Sequence, residues 1–188
     1  AAQSHRRPAG KEDQIRAAIK ERNREREALK RLYKLMKKDP APMLGDDLYK
    51  VLYGATFKFD KKQSALEIYA ICDKIEKEYE EGNHLEKRPR IMITGSPVSG
   101  GASKVIKAIE DNGGVVVVFE NCGGAKSVEE LVDEQNPDVY EALAKRYLNI
   151  GCSCMSPNPS RYKLMGQLIE EFRPDAVVDV VLQACHTY

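Results

Sequence analysis

Val115-Val116-Val117-Val118-Phe119 is a continuous apolar run closed on both sides by turn residues, Asn112-Gly113-Gly114 before it and Glu120-Asn121-Cys122-Gly123-Gly124 after it. Five consecutive apolar side chains do not alternate as a half-solvated strand does, so the run reads as a central parallel strand covered on both faces. Working outward, Arg90-Ile91-Met92-Ile93-Thr94 is a second short strand and ends in the turn Gly95-Ser96-Pro97. Between the two, Ala102 to Asp111 has helical spacing at Val105, Ile106 and Ile109. Beyond them a helix is expected over 128–148 with a break at Pro137, a short strand over 150–152, a helix over 162–172 and a last strand over 176–182. That β-α-β-α-β-α-β order predicts an α/β fold with a doubly wound parallel sheet of about four strands.

The preceding residues read differently. Glu12 to Lys38 is dense in Ala, Leu, Glu, Lys and Arg, which favour helix, and Asp39-Pro40-Ala41-Pro42 stops it. Further helices are expected from about Gly45 to Tyr53 and from Lys61 to Glu80. Residues 1–88 carry 21 basic and 16 acidic side chains, whereas residues 89–188 carry 9 and 13. The composition breaks near Arg88-Pro89, and the residue before a proline is pushed out of helical geometry. A helical N-terminal segment over 1–88 and an α/β domain over 89–188 follow as the expected organisation.

The whole chain has 188 residues with a net charge of +1, 42% hydrophobic and 31% charged side chains, which places it with globular proteins. Global charge therefore names no polyanionic partner. Residues 1–38 carry 13 basic against 5 acidic side chains, and a solvated helix face accounts for that run better than a nucleic-acid surface. No stretch approaches the roughly 18 apolar residues of a membrane span, and the first ten residues lack the apolar core of a secretion signal. A cytoplasmic protein is expected. The absence of an initiator methionine suggests a trimmed or internal piece.

Four of the five cysteines fall where a parallel sheet gathers ligands, at the carboxyl ends of strands. Cys122 follows the second strand, Cys152 and Cys154 the third, and Cys185 the fourth, at separations of 30 and 31 residues that match one β-α unit each. Only Cys72 lies inside a helix, and it reads as a small buried hydrophobe. Thiolates suit zinc, copper(I) or iron–sulfur clusters. Structural zinc normally shows paired C-x₂₋₄-C knuckles; here the only close pair is C-x-C, and ligands spread over a rim suit a larger object such as a cluster. His186, beside Cys185, is the one histidine near this centre and is a candidate proton donor or partner to sulfur, or equally a structural residue. The loop from Gly95 to Gly101 has P-loop glycine spacing, but Gly101 and Ala102 stand where Lys and Ser/Thr are required, so it reads as a turn or a substrate-contacting loop.

The segments ITGSPV (93–98), VFENCGG (118–124), YEALAKRYLNIGCSCMSPNPSR (140–161) and VVDVVLQACHTY (177–188) resemble the 2-hydroxyacyl-CoA dehydratase and benzoyl-CoA reductase family. Within it they look most like the double-cubane cluster proteins. The helix around Asn23-Arg24-Glu25-Arg26-Glu27 and the KKDPAP stretch (37–42) resemble the family's helical entry segment. The resemblance implies flavodoxin-like domains that hold an iron–sulfur cluster, 4Fe–4S or double-cubane 8Fe–9S, on thiolates matching Cys122, Cys152, Cys154 and Cys185. It implies low-potential electrons from an ATP-dependent iron–sulfur activator or reductase, passed to an acyl-CoA or small-molecule substrate. The second thiol of Cys152-Ser153-Cys154 favours two cubanes, which take six cysteines. Family subunits run to about twice this length, so the chain reads as the N-terminal half. A second α/β domain or subunit would complete it, in a homo- or heterodimer.

Overall fold

The computed structural model describes residues 9–98 and 100–183. Three long helices come first: α1 (Ala9–Leu35), α2 (Gly45–Phe57) and α3 (Lys61–Glu80). Strand β1 (Arg90–Gly95) follows, then a 3-10 turn at Gly100–Ser103, α4 (Lys104–Asp111), β2 (Val115–Phe119), α5 (Ala125–Val128), α6 (Val139–Leu148), α7 (Pro159–Phe172) and β3 (Ala176–Val180). The sheet order is β2-β1-β3 and both pairings are parallel, which is how a flavodoxin-like 2-1-3 sheet begins.

Two expectations are corrected. Among the described residues the sheet has three strands and not four, because 150–152 is not a strand. Its backbone groups are spent locally: the Ile150 amide donates to Tyr147 O, the Cys152 amide to Ile150 O, and Cys152 O accepts from the Met155 amide. Nothing is left to run a ladder. The Val115–Phe119 strand is wholly buried, as its apolar run requires, yet β1 and not β2 is central. Helix α2 supplies part of the cover, its first residue laid so close that a Cβ on Gly45 would sit 2.3 Å from Val116 O. The amides of Gly45 and Asp46, unpaired at a helix start, donate to the Glu110 carboxylate from α4, which also accepts from the Val116 amide. That amide is free because β2 is an edge strand, and with the Val115 amide bonded to Pro89 O the next one faces away from β1.

The apolar core is continuous across both halves of the chain. Leu29 and Leu32 of α1 and Met36 just after it, Leu48 and Leu52 of α2 and Ile68 and Cys72 of α3 share one buried cluster with Met92, Ile93 and the β2 residues. A smaller cluster, Ile19, Val132, Val139 and Ala142, joins α1 to α6. Arg90 ties the amino edge of the sheet together: its guanidinium donates to Met36 O and Lys38 O at the end of α1 and to Phe172 O at the end of α7. Local caps fix where helices start. Asp60 accepts from the Gln63 amide at α3, Asp138 from the Tyr140 and Glu141 amides at α6, and Asn158 from the Arg161 amide at α7, where Pro159 takes the first turn.

Candidate metal centre

At the carboxyl edge of the sheet the three strand ends are pinned to one another by Ser96. Its amide donates to Val180 O at 2.7 Å, its hydroxyl accepts from the Leu182 amide at 3.2 Å, and its carbonyl accepts from Asn121 Nδ2 at 3.2 Å. Gly95 makes this approach, with φ +93° and a Cβ position 2.4 Å from Val180 O that no side chain could occupy. The chain thus bends across the strand ends at Gly95 and Ser96. After β2 the chain turns back sharply, the Gly124 amide bonding Asn121 O, and leaves Cys122 exposed at the edge.

The second thiol-bearing loop is built from the end of α6 and the start of α7. A Cβ on Gly151 would fall 2.7 Å from the Arg161 amide nitrogen, so glycine lets this loop lie on the first turn of α7. Cys152 O accepts from the Met155 amide and from Asn158 Nδ2, the side chain that also caps α7. Held this way, the Cys152 and Cys154 sulfurs lie 3.4 Å apart. The Cys154 amide, then the Cys154 thiol, and the positive field of Lys126 pull the Cys152 thiol below its ordinary range. Cys154 moves up, because its thiol donates a hydrogen bond to Cys152 and its ionised form would face a second negative sulfur. The pair holds one proton readily and two less so.

Beneath this loop lies a charged network that spacing does not single out. Glu120, fully buried, accepts from Thr94 Oγ1 at 2.6 Å, pairs with Lys126 Nζ at 3.0 Å, and has Arg161 Nε at 3.7 Å. Arg161 also reaches Thr94 Oγ1. Four elements, β1, the end of β2, α5 and α7, are thereby joined under the rim. The signal in the sequence is a lone carboxylate closing a five-residue apolar strand, with a lysine at the start of the next helix. A cleft of about 520 Å³ opens beside it, lined among others by Lys126, Asn149, Ile150, Gly151, Ser160 and Lys163.

Of the residues singled out by sequence, Cys152 and Cys154 are in contact, and Cys122 stands on the same carboxyl edge. Among the described residues no three His, Cys, Asp or Glu side chains converge into a metal-ligand group. Cys185 and His186 lie outside the described residues. Cys72 is buried in the core, its thiol pushed up to about 11 by desolvation, and belongs to packing. The donor chemistry of the rim fits a thiophilic centre: accessible soft sulfurs, one of them biased toward thiolate by fixed donors and a buried cation. Among the described residues no helix is long and apolar enough to cross a membrane.

Comparison with known proteins shows the family. Residues 8–188 match the family model of the 2-hydroxyglutaryl-CoA dehydratase D-component. The chain is 53% identical over 177 residues to a protein of Escherichia coli (strain K12) named "Putative dehydratase subunit YjiM". That alignment covers 94% of the chain and 46% of the relative, so the chain spans about half the length of the curated relative it matches. By the extent of these matches, the chain belongs to the 2-hydroxyglutaryl-CoA dehydratase D-component family.

Proposed function

We propose that the chain is the cluster-bearing part of a 2-hydroxyacyl-CoA dehydratase-type enzyme, with an iron–sulfur cluster held at the carboxyl edge of its sheet. Cys122, Cys152 and Cys154 would be ligands, with Cys185 as a fourth. The cluster, when bound, supplies a low-potential electron to an acyl-CoA or small-molecule substrate. An ATP-dependent iron–sulfur reductase would deliver that electron, and the rest of the protein would complete the ligand set. The observation that carries this reading is the Cys152–Cys154 contact of 3.4 Å on an exposed loop, with Cys152 biased toward thiolate.

This chain's own residues have definite tasks in such a centre. Asn158 and Gly151 fix the C-x-C loop against α7, so both sulfurs point from one short segment. Lys126 stands behind Cys152 as a buried positive charge, which favours bound anionic sulfur over free thiol. The test is anaerobic reconstitution of the chain with ferrous iron and sulfide. Visible charge-transfer absorption should develop, and Cys152→Ser and Cys154→Ser should each bind at least twofold less iron. Cys72→Ser should bind as much as the unaltered chain. Equal iron in all four proteins would overturn the assignment, and tight uptake of zinc in preference to iron would replace it with a structural site.

A further inference from the structure

Between α1 and α6 the interior holds two arginines that form no ion pair with a carboxylate among the described residues. Arg26 is 2% exposed and Arg146 5% exposed. Arg26 Nη1 donates to Asn23 Oδ1 and Nη2 reaches the Tyr147 hydroxyl at 3.4 Å, while Nε is buried with no hydrogen-bond partner among the described residues. Arg146 donates to two backbone carbonyls, Glu130 O and Ser127 O. Acids along these elements bond other partners: Glu25 pairs with Arg22 and Lys61, Asp133 accepts from the Gln135 amide, and Glu130 accepts from Asn149 while its charge also acts on Arg146. Burying one cation without a counter-charge is costly, and burying two side by side more so. Desolvation first, and then each neighbouring arginine, pulls the Arg26 guanidinium below its ordinary value, which shows the strain from within.

Helix termination accounts for part of this. Arg146 sits in the last turn of α6 and closes the carbonyl end of α5, as cations at helix ends do. It does not account for Arg26, which lies in the middle of α1 with a donor left over. The outer side is also shaped for entry. The Tyr147 ring, 54% exposed, lies over the Arg146 guanidinium at 4.7 Å and turns its hydroxyl to Arg26. Arg146 also lines an open cleft of about 520 Å³, together with Lys145, Glu130 and Asp133.

We propose that Arg26 and Arg146 form a receptor for a small oxyanion, a phosphate or carboxylate group that enters as Tyr147 swings aside. Such a group offers the lone pairs that Arg26 Nε lacks, and guanidinium forks match its geometry. The site is separate from the thiols and holds whether or not a cluster binds them. It lies a few residues before Cys152 on the same helix-to-loop path, so its occupancy would steady the end of α6.

Calorimetric titration of the full chain with inorganic phosphate against sodium chloride at matched ionic strength tests it. Phosphate should bind saturably, and at ten times its dissociation constant it should raise the thermal unfolding midpoint by about 4 °C. Arg26→Met should abolish the saturable part, and Arg26→Lys should keep a weakened one. An acetate titration separates the sources: saturation by both ions assigns a carboxylate-type ligand, and by phosphate alone a phosphoryl group. Should Arg26→Met not fold, Nε–H resonances of the unaltered chain decide, since two arginine signals should shift with one dissociation constant. No saturable effect of either ion, or the same effect in folded Arg26→Met, would overturn the proposal.

Discussion

The sulfurs of Cys152 and Cys154 lie 3.4 Å apart on a loop pinned by Asn158, and only one of the two gains acidity from the contact. The asymmetry arises because the Cys154 amide and thiol both point their hydrogens at Cys152. In the metal-free chain Cys152 should therefore react with iodoacetamide several-fold faster than Cys154 near neutral pH, since the thiolate is the nucleophile. Peptide mapping after short pulses reads this directly. Equal rates at the two sulfurs would contradict the assigned donor and acceptor.

Cys72 gives the opposite case. Burial raises its thiol from 9.0 to about 11, so folding favours the neutral form. Its contribution to stability is fully present below the unfolded value near 9 and is lost as pH rises to about 11. Urea midpoints of the unaltered chain should fall across that window more steeply than those of Cys72→Ala. Parallel pH profiles would show that the thiol does not ionise on unfolding there.

Lys126 and Glu120 form an ion pair with both side chains essentially out of water. Removing one partner leaves the other charge buried, so Lys126→Met should cost about 3 kcal/mol in urea unfolding. The double variant Glu120→Gln/Lys126→Met should lose clearly less than the sum of the singles. Strict additivity would mean that Thr94 and Arg161 satisfy Glu120 without the lysine.

Gly151 has no room for a side chain, since a Cβ would stand 2.7 Å from the Arg161 nitrogen and 2.8 Å from its Cα. Gly151→Ala should shift the C-x-C loop off α7 while leaving helix content unchanged by circular dichroism. Iron uptake on anaerobic reconstitution should drop several-fold. Unaltered uptake would show that the loop finds its geometry without that contact.

Much of this architecture is legible in the residues. The apolar run Val115–Phe119 announces a buried parallel strand, and Lys61–Glu80 is a helix at the bounds its composition suggests. The strand at 150–152 failed because three residues cannot outbid local turns for their own amides, and periodicity says nothing about such a contest. The central place of β1 was hidden for a related reason: burial of β2 comes partly from α2, a helix some sixty residues away in sequence, through a close contact at Gly45. Cys122 follows a strand end as its spacing suggests, whereas Cys152 and Cys154 follow helix α6 and not a strand, and Cys185 lies outside the described residues. The network of Glu120, Lys126, Thr94 and Arg161 could not be read from spacing, because it joins four elements whose adjacency exists only in the folded chain.

The central claim is that these thiols hold iron and sulfide. Metal and acid-labile sulfide analysis of the protein purified without oxygen from its expression host, with no reconstitution, tests it most directly. The account predicts a brown protein with several iron atoms per chain, a comparable amount of sulfide, and loss of both in Cys152→Ser. A colourless, folded protein holding zinc or no metal, prepared anaerobically together with the remaining part of the enzyme, would contradict it.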